Sequence, residues 1–104
     1  MKETNPMEIF LKEAPEVAQA FNGLIQSLIQ TKGLDPKTKQ LIYIAMKALL
    51  DDPLAVKYHV PMAKKLGATR EEILDTLLLT LTVAGLKPVV SVLPAALEAY
   101  DNTH

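Results

Sequence analysis

The sequence has no cysteine and no tryptophan, and aromatic residues make up only 5% of its 104 positions. Without thiols the chain cannot form disulfides, thiolate nucleophiles or thiolate metal sites. Hydrophobic residues nevertheless account for 49% of the chain. The core must therefore consist of Leu, Ile, Val, Ala and Met, a mixture that favours helices. Because the length is typical of one domain, we predict a single domain spanning residues 1–104.

Neither positive nor negative charge dominates the sequence, since the formal net charge is -1 and lysines, arginines and acids are scattered along it. Nucleic acid is therefore not an expected partner, because no basic stripe is available for phosphates. No apolar run reaches the roughly 20 residues that a membrane-spanning helix needs. The first ten residues also lack the pattern of a secretory signal. We expect a cytoplasmic protein that does not enter a membrane.

Motifs that bind cofactors are missing as well. The sequence contains no glycine-rich phosphate loop and no dinucleotide fingerprint. Besides His59 the only histidine is His104, at the end of the sequence, and no cluster of His, Asp and Glu has ligand spacing on one helix face. We therefore predict neither a cofactor nor a metal site.

Capping residues and prolines divide the chain into helices. Asn5, Asp35 and Asp52 each precede a proline, which is the arrangement expected at a helix N-terminus. Thr69 and Glu72 have the spacing of a capping box. No stretch alternates as a half-buried strand does. We predict an all-α domain of about six helices, near residues 6–13, 15–31, 36–50, 53–66, 70–84 and 88–101.

The predicted helix near residues 70–84 is apolar on nearly every side after Asp75. Such a helix is normally buried all round, and a domain of this size can hardly enclose it alone. A second subunit covering one face is the favoured interpretation, because exposed apolar patches of several hundred Å² usually mark interfaces. The alternative is an ordinary core helix of a monomer.

A larger pattern occupies about half of the chain, Lys37 to Pro88: "KTKQLIYIAMKALLDDPLAVKYHVPMAKKLGATREEILDTLLLTLTVAGLKP". It resembles the carboxymuconolactone decarboxylase family, which includes alkylhydroperoxidase D. The most specific elements are His59, Ala63, Gly67-Ala68-Thr69, Glu72-Ile73 and Gly85. The resemblance implies an alkylhydroperoxidase D-like helical fold whose subunits assemble as a trimer or hexamer.

The peroxidase branch of that family uses a C-x-x-C-x-x-x-H motif and a glutamate on the preceding helix. Counted back from His59, the cysteine positions fall on Asp52 and Ala55, and the glutamate position falls on Gln40. Since a thiolate is the nucleophile of that chemistry, we do not expect thiol-dependent peroxide reduction. Asp52 is interpreted as a helix cap rather than as a partner of His59, because seven helical residues span about 10 Å.

The decarboxylase branch needs no cysteine pair and fits better. An imidazole can deliver a proton to carbon after carbon dioxide leaves, so His59 is the candidate catalytic residue. Lys57 or Lys64 would hold a substrate carboxylate, and Tyr58 or Gln40 would donate a hydrogen bond to a developing enolate. The expected function is that of a carboxy-lyase acting on a small carboxylate or lactone. The alternative is a non-catalytic ligand-binding or scaffold member of the same family.

Overall fold

The computed structural model describes residues 5–104, and in that range every regular element is a helix. The predicted all-α class is therefore confirmed. The helices are α1 (Pro6–Glu13), α2 (Pro15–Gln30), α3 (Pro36–Leu49), α4 (Pro53–Lys65), α5 (Arg70–Leu79), α6 (Leu81–Ala84) and α7 (Lys87–Asp101). Except in the region of α5 and α6, the predicted ends differ from these by no more than a residue.

The predicted capping side chains make the expected bonds. Asp35 accepts a hydrogen bond from the backbone N–H of Thr38 at 2.8 Å, and Asp52 accepts one from Ala55 at 3.1 Å. Thr69 and Glu72 form a complete capping box at the start of α5. These bonds satisfy N–H groups that have no partner within the helix, and they fix where α3, α4 and α5 begin.

The prediction of one continuous helix over residues 70–84 is wrong, because the helix is interrupted at Thr80. The Thr80 hydroxyl donates to the carbonyl of Leu77 at 2.6 Å, and the Thr80 backbone N–H donates to the same carbonyl at 3.1 Å. Threonine hydroxyls compete in this way with the regular helical ladder and tighten the local turn. The helical pattern in the sequence does not reveal this competition, because Thr80 fits the buried side of the periodicity.

The structure divides into two compact units, the first ending at Gly33 and the second comprising Leu34–His104. In the first unit α1 and α2 pack on each other, and the rings of Phe10 and Phe21 lie 6.3 Å apart. Of its described residues, Ala18 alone is buried. The single domain expected from the length remains a prediction.

The core of the second unit is formed where α3, α4, α5 and α7 pack together. Its fully buried larger side chains are Ile44, Val56, Val60, Ile73, Leu77 and Val92. Together with the buried alanines Ala48, Ala63, Ala96 and Ala99, these residues recur at three- and four-residue steps on their helices, as an inward face requires. The side chains next to this buried stripe are therefore held at fixed positions along the seam between α3 and α4.

The opposite side of α5 and α6 is not covered by the other helices of the second unit. Leu79 is 65% exposed and Val83 is 75% exposed, and exposed apolar residues continue at Leu86 and Val90. Among the described residues, no helix has the length and apolar character needed to cross a bilayer. This surface is called the α5–α6 face below and is defined by Leu79, Val83, Leu86 and Val90. Leu79 and Val83 belong to the second face that the sequence pattern predicts.

Candidate active site

A row of polar side chains runs along one edge of α3, beside the buried stripe. Gln40, Tyr43 and Lys47 are three and four residues apart, so they lie on the same side of the helix. Each is partly buried. The chain then reverses through a tight turn in which Asp51 has a φ of 58°, and α4 returns against α3. His59, also partly buried, lies on the side of α4 that meets this row.

His59 and Gln40 are joined by a hydrogen bond between their side chains. The distance from His59 Nδ1 to Gln40 Oε1 is 2.9 Å. An amide oxygen only accepts hydrogen bonds, so with Oε1 facing the ring the proton of the neutral imidazole lies on Nδ1. The Nε2 atom then carries the lone pair. Gln40 thus selects the tautomer and holds the ring, as hydrogen-bond partners of functional histidines commonly do.

Tyr43 and Lys47 complete the surroundings of the imidazole. The centroids of the Tyr43 and His59 rings are 4.1 Å apart, with the ring planes inclined at 36°. The Lys47 ammonium lies 5.7 Å from the Tyr43 centroid, within the range of a cation–π contact. It is also 3.7 Å from a carboxylate oxygen of Asp52, which is longer than an ordinary charged hydrogen bond.

The pKa of His59 is lowered below its ordinary value of 6.5. Partial burial is the larger cause, because it disfavours the charged imidazolium, and the positive charge of Lys47 lowers the pKa further. Gln40 is neutral and supplies no charge that would oppose these effects. His59 is therefore mainly neutral at pH 7, and in this tautomer the lone pair lies on Nε2.

Two of the predicted substrate-binding residues lie elsewhere. Lys57 and Tyr58 line a groove of about 390 Å³ between α4 and the end of α7, and Tyr58 is 70% exposed. Two positions along a helix correspond to a rotation of about 200°, so Lys57 projects from the opposite side of α4 to His59. The structure brings Gln40 to His59 and does not bring Lys57 or Tyr58 there.

Lys64, the alternative carboxylate-binding lysine, is engaged at the end of α7. Its ammonium donates to the carbonyl of Tyr100 at 2.9 Å and to that of Thr103, and it lies 4.2 Å from the Tyr100 ring centroid. Carbonyls at a helix C-terminus lack partners within the helix, and a cation there is favourable. Lys64 therefore contacts the end of α7 and is not brought to His59.

Tyr43 and Lys47 are absent from the candidates predicted from the sequence. A usable signal exists, since they follow Gln40 by three and seven residues and so share its face of α3. Counting from Gln40 rather than from His59 reveals them. Lys57 and Tyr58 attract attention only because they are adjacent to His59 in the chain, and adjacent helical residues do not share a face.

The described cavities lie away from the imidazole. An apolar groove of about 370 Å³ runs between α3 and the α5–α6 face, and its lining includes Ile42, Leu79 and Val83. None of the four cavities described has His59 in its lining. Within residues 5–104, no group of three or more His, Asp or Glu side chains could hold a metal ion.

Comparison with known proteins is consistent with this geometry. The chain has 33% identity to MJ1511, an uncharacterized protein of Methanocaldococcus jannaschii, over 92 residues that cover 88% of this chain and 86% of that protein. A second protein of that organism, MJ0742, is 32% identical over 81 residues, covering 77% of this chain and 78% of the relative.

A solved structure has the same fold. The crystal structure of apo-lpg0406, a carboxymuconolactone decarboxylase family protein from Legionella pneumophila, matches with a TM-score of 0.81 and 35% sequence identity. The match covers 91% of this chain and 84% of that one. The model of the carboxymuconolactone decarboxylase family itself matches residues 15–98, a longer segment than the motifs in the sequence indicate. This chain belongs to the carboxymuconolactone decarboxylase family.

Proposed function

We propose that the protein is a small-molecule lyase of the carboxy-lyase type in which His59 carries the proton and Gln40 orients the imidazole. The observation that carries this proposal is the 2.9 Å hydrogen bond between Gln40 Oε1 and His59 Nδ1. A histidine that transfers a proton at Nε2 needs its other nitrogen held.

The proposed reaction balances with His59 as its only titrating group. The bond between the substrate carbon and its carboxylate breaks, carbon dioxide leaves, and the electron pair stays on the carbon as a carbanion or enolate. The imidazolium of His59 then donates its Nε2 proton to that carbon and becomes neutral. Solvent returns a proton to Nε2 for the next cycle. General acid catalysis of this kind contributes about 10²- to 10⁴-fold in rate.

Thiol peroxidase activity has no support in this chain. The positions that correspond to the two cysteines are Asp52 and Ala55. Asp52 caps α4 by accepting a hydrogen bond from the backbone N–H of Ala55. Neither can form a disulfide. Gln40 replaces the glutamate that the peroxidase branch uses in its proton relay, and an amide cannot carry a proton in that way.

Assembly into a trimer or hexamer forms part of the proposal. Its support is the α5–α6 face, which is continuous with the apolar groove lined by Leu79 and Val83. A second copy on this face would remove those side chains from water, which favours association in proportion to the apolar area buried.

A non-catalytic ligand-binding or scaffold protein is the second candidate. The observation that favours it is the packing of the Tyr43 ring on the imidazole at 4.1 Å, together with the position of the described cavities away from His59. In that case the hydrogen bond to Gln40 serves to satisfy a partly buried side chain, as most such bonds do.

The deciding experiment is a screen of unsaturated lactone acids and β-keto acids for carbon dioxide release, with the wild type and the variant His59→Gln. The lyase proposal expects turnover by the wild type and a loss of at least about 100-fold in the variant. Sedimentation and circular dichroism of the variant show whether its fold and assembly are intact. Equal turnover by a folded variant contradicts the role of His59, and no release from any acid favours the second candidate.

A further inference from the structure

The Lys47 ammonium is the positive charge that the structure places beside the imidazole. It contacts the ring of Tyr43 at 5.7 Å, and that same ring packs against His59 at 4.1 Å. Lys57 and Lys64 are both excluded from this position, the first by the side of α4 on which it lies and the second by its bonds to α7. Lys47 is 30% exposed, so an ion from solvent can approach it.

We propose that Lys47 is the residue that binds the carboxylate of a small organic acid and positions it next to Nε2 of His59. This inference rests on the proposed function and assigns its anion-binding residue. The ligand class is a monocarboxylate, because a single ammonium can neutralise one negative charge. Gln40 on the same edge of α3 holds the ring from its other nitrogen, so α3 supplies both positioning groups.

The present contact of Lys47 with Asp52 is weak. The contact with Asp52 measures 3.7 Å, and the Asp52 carboxylate already accepts a bond from the backbone N–H of Ala55. Exposed or partly exposed ion pairs of this length contribute little to stability. A substrate carboxylate at hydrogen-bonding distance would form a shorter and stronger contact. Asp52 can keep its capping role while the ammonium turns toward the ligand.

The purely structural interpretation makes a different prediction for binding. If Lys47 serves only to pair with Asp52 and cover Tyr43, removing its charge changes stability and leaves carboxylate binding unaltered. The two interpretations are separated by a stable keto acid that cannot be turned over. Levulinate is such a compound, and methyl levulinate is its neutral counterpart.

The experiment titrates the full-length protein with levulinate at about pH 7.5, where a histidine of ordinary or lowered pKa is neutral. The readout is the imidazole resonance of His59 by NMR, assigned with the variant His104→Gln because the chain has only two histidines. Lys47→Gln and Lys47→Met both keep an unbranched side chain without the charge, so either folded variant serves. Lys57→Gln is the matched control, since it removes the same charge from the opposite side of α4.

The proposal expects levulinate, and not its methyl ester, to shift the His59 resonance in the wild type and in Lys57→Gln. The Lys47 variants should bind levulinate at least about tenfold more weakly, as loss of a charged hydrogen bond implies. The proposal is overturned if the wild type does not bind, if the Lys47 variants bind as well as the wild type, or if the Lys57 variant is equally weakened. Because no turnover is measured, these outcomes are independent of whether carbon dioxide is released.

Discussion

Gln40 Oε1 lies 2.9 Å from His59 Nδ1, although the two residues are separated by 19 positions in the chain and belong to different helices. In the peroxidase branch of the family, the spacing described above places a glutamate at the position of Gln40. The amide keeps the hydrogen bond and removes the charge. The imidazole therefore remains oriented, while burial and Lys47 lower its pKa without an opposing carboxylate.

Replacing Gln40 with glutamate should raise the pKa of His59. A carboxylate 2.9 Å from Nδ1 stabilises the imidazolium, and an opposite charge at that distance commonly shifts a pKa by about 1–3 units. An NMR titration of the His59 resonance measures the change. Asn102→Asp makes the same amide-to-carboxylate change at an exposed position beside Lys57 and Tyr58, and as the control it should leave the titration unaltered. An unchanged His59 pKa in the Gln40 variant contradicts the hydrogen bond.

The pH dependence of turnover distinguishes a proton donor from a proton acceptor. In the proposed decarboxylation the imidazolium is the reactive form, and the pKa of His59 lies below 6.5 in the free enzyme. The value of kcat/KM should therefore fall as the pH rises through that pKa, by about tenfold per pH unit above it. A profile that instead rises with pH identifies His59 as a base, and proton abstraction would replace decarboxylation as the proposed step.

Stability at acid pH should depend on Glu72. Its pKa is lowered below the ordinary value of 4.5, first by the hydrogen bond from the Thr69 backbone and then by the bond from Lys37 at 2.9 Å. The unfolded chain binds this proton at a higher pH than the folded one, so the contribution is complete above pH 4.5 and is lost as the pH falls through the folded pKa.

The variant Glu72→Gln keeps an acceptor for the Thr69 N–H and does not titrate. Its free energy of unfolding, measured by urea denaturation between pH 3 and pH 6, should vary less with pH than that of the wild type. Glu71→Gln removes the neighbouring charge and serves as the control. If the free energy of unfolding depends equally on pH in the wild type and the Glu72 variant, Glu72 does not have this role.

Local signals explain how much of the fold the sequence predicts. The bonds of Asp35, Asp52 and Thr69 to nearby N–H groups need no tertiary contact, so short motifs identify those helix starts. The break at Thr80 arises because its hydroxyl and its backbone N–H both donate to the carbonyl of Leu77. The spacing of apolar residues in the sequence does not reveal these bonds.

The candidate site is less predictable because it joins two helices. The partnership of His59 with Gln40 follows from a family spacing, whereas Lys47 follows only when positions are counted from Gln40 along the same face of α3. Lys57 is a candidate from the sequence because it is two residues from His59, but the helix geometry places it on the opposite side of α4. A charge can be assigned to a site only after the face of its helix is known.

The α5–α6 face provides the last prediction, which concerns assembly. Leu79 and Val83 are already exposed in the protomer, so Leu79→Glu and Val83→Glu should change the stability of an isolated subunit by no more than about 0.5 kcal/mol. In an interface the same change buries an unpaired carboxylate, which costs several kcal/mol. Sedimentation velocity should therefore show oligomers for the wild type and smaller species for the double variant. Leu54→Glu adds a carboxylate at a similarly exposed position on α4 and tests whether any added charge reduces assembly. A wild type that sediments as a stable monomer at micromolar concentration removes the interface from this face.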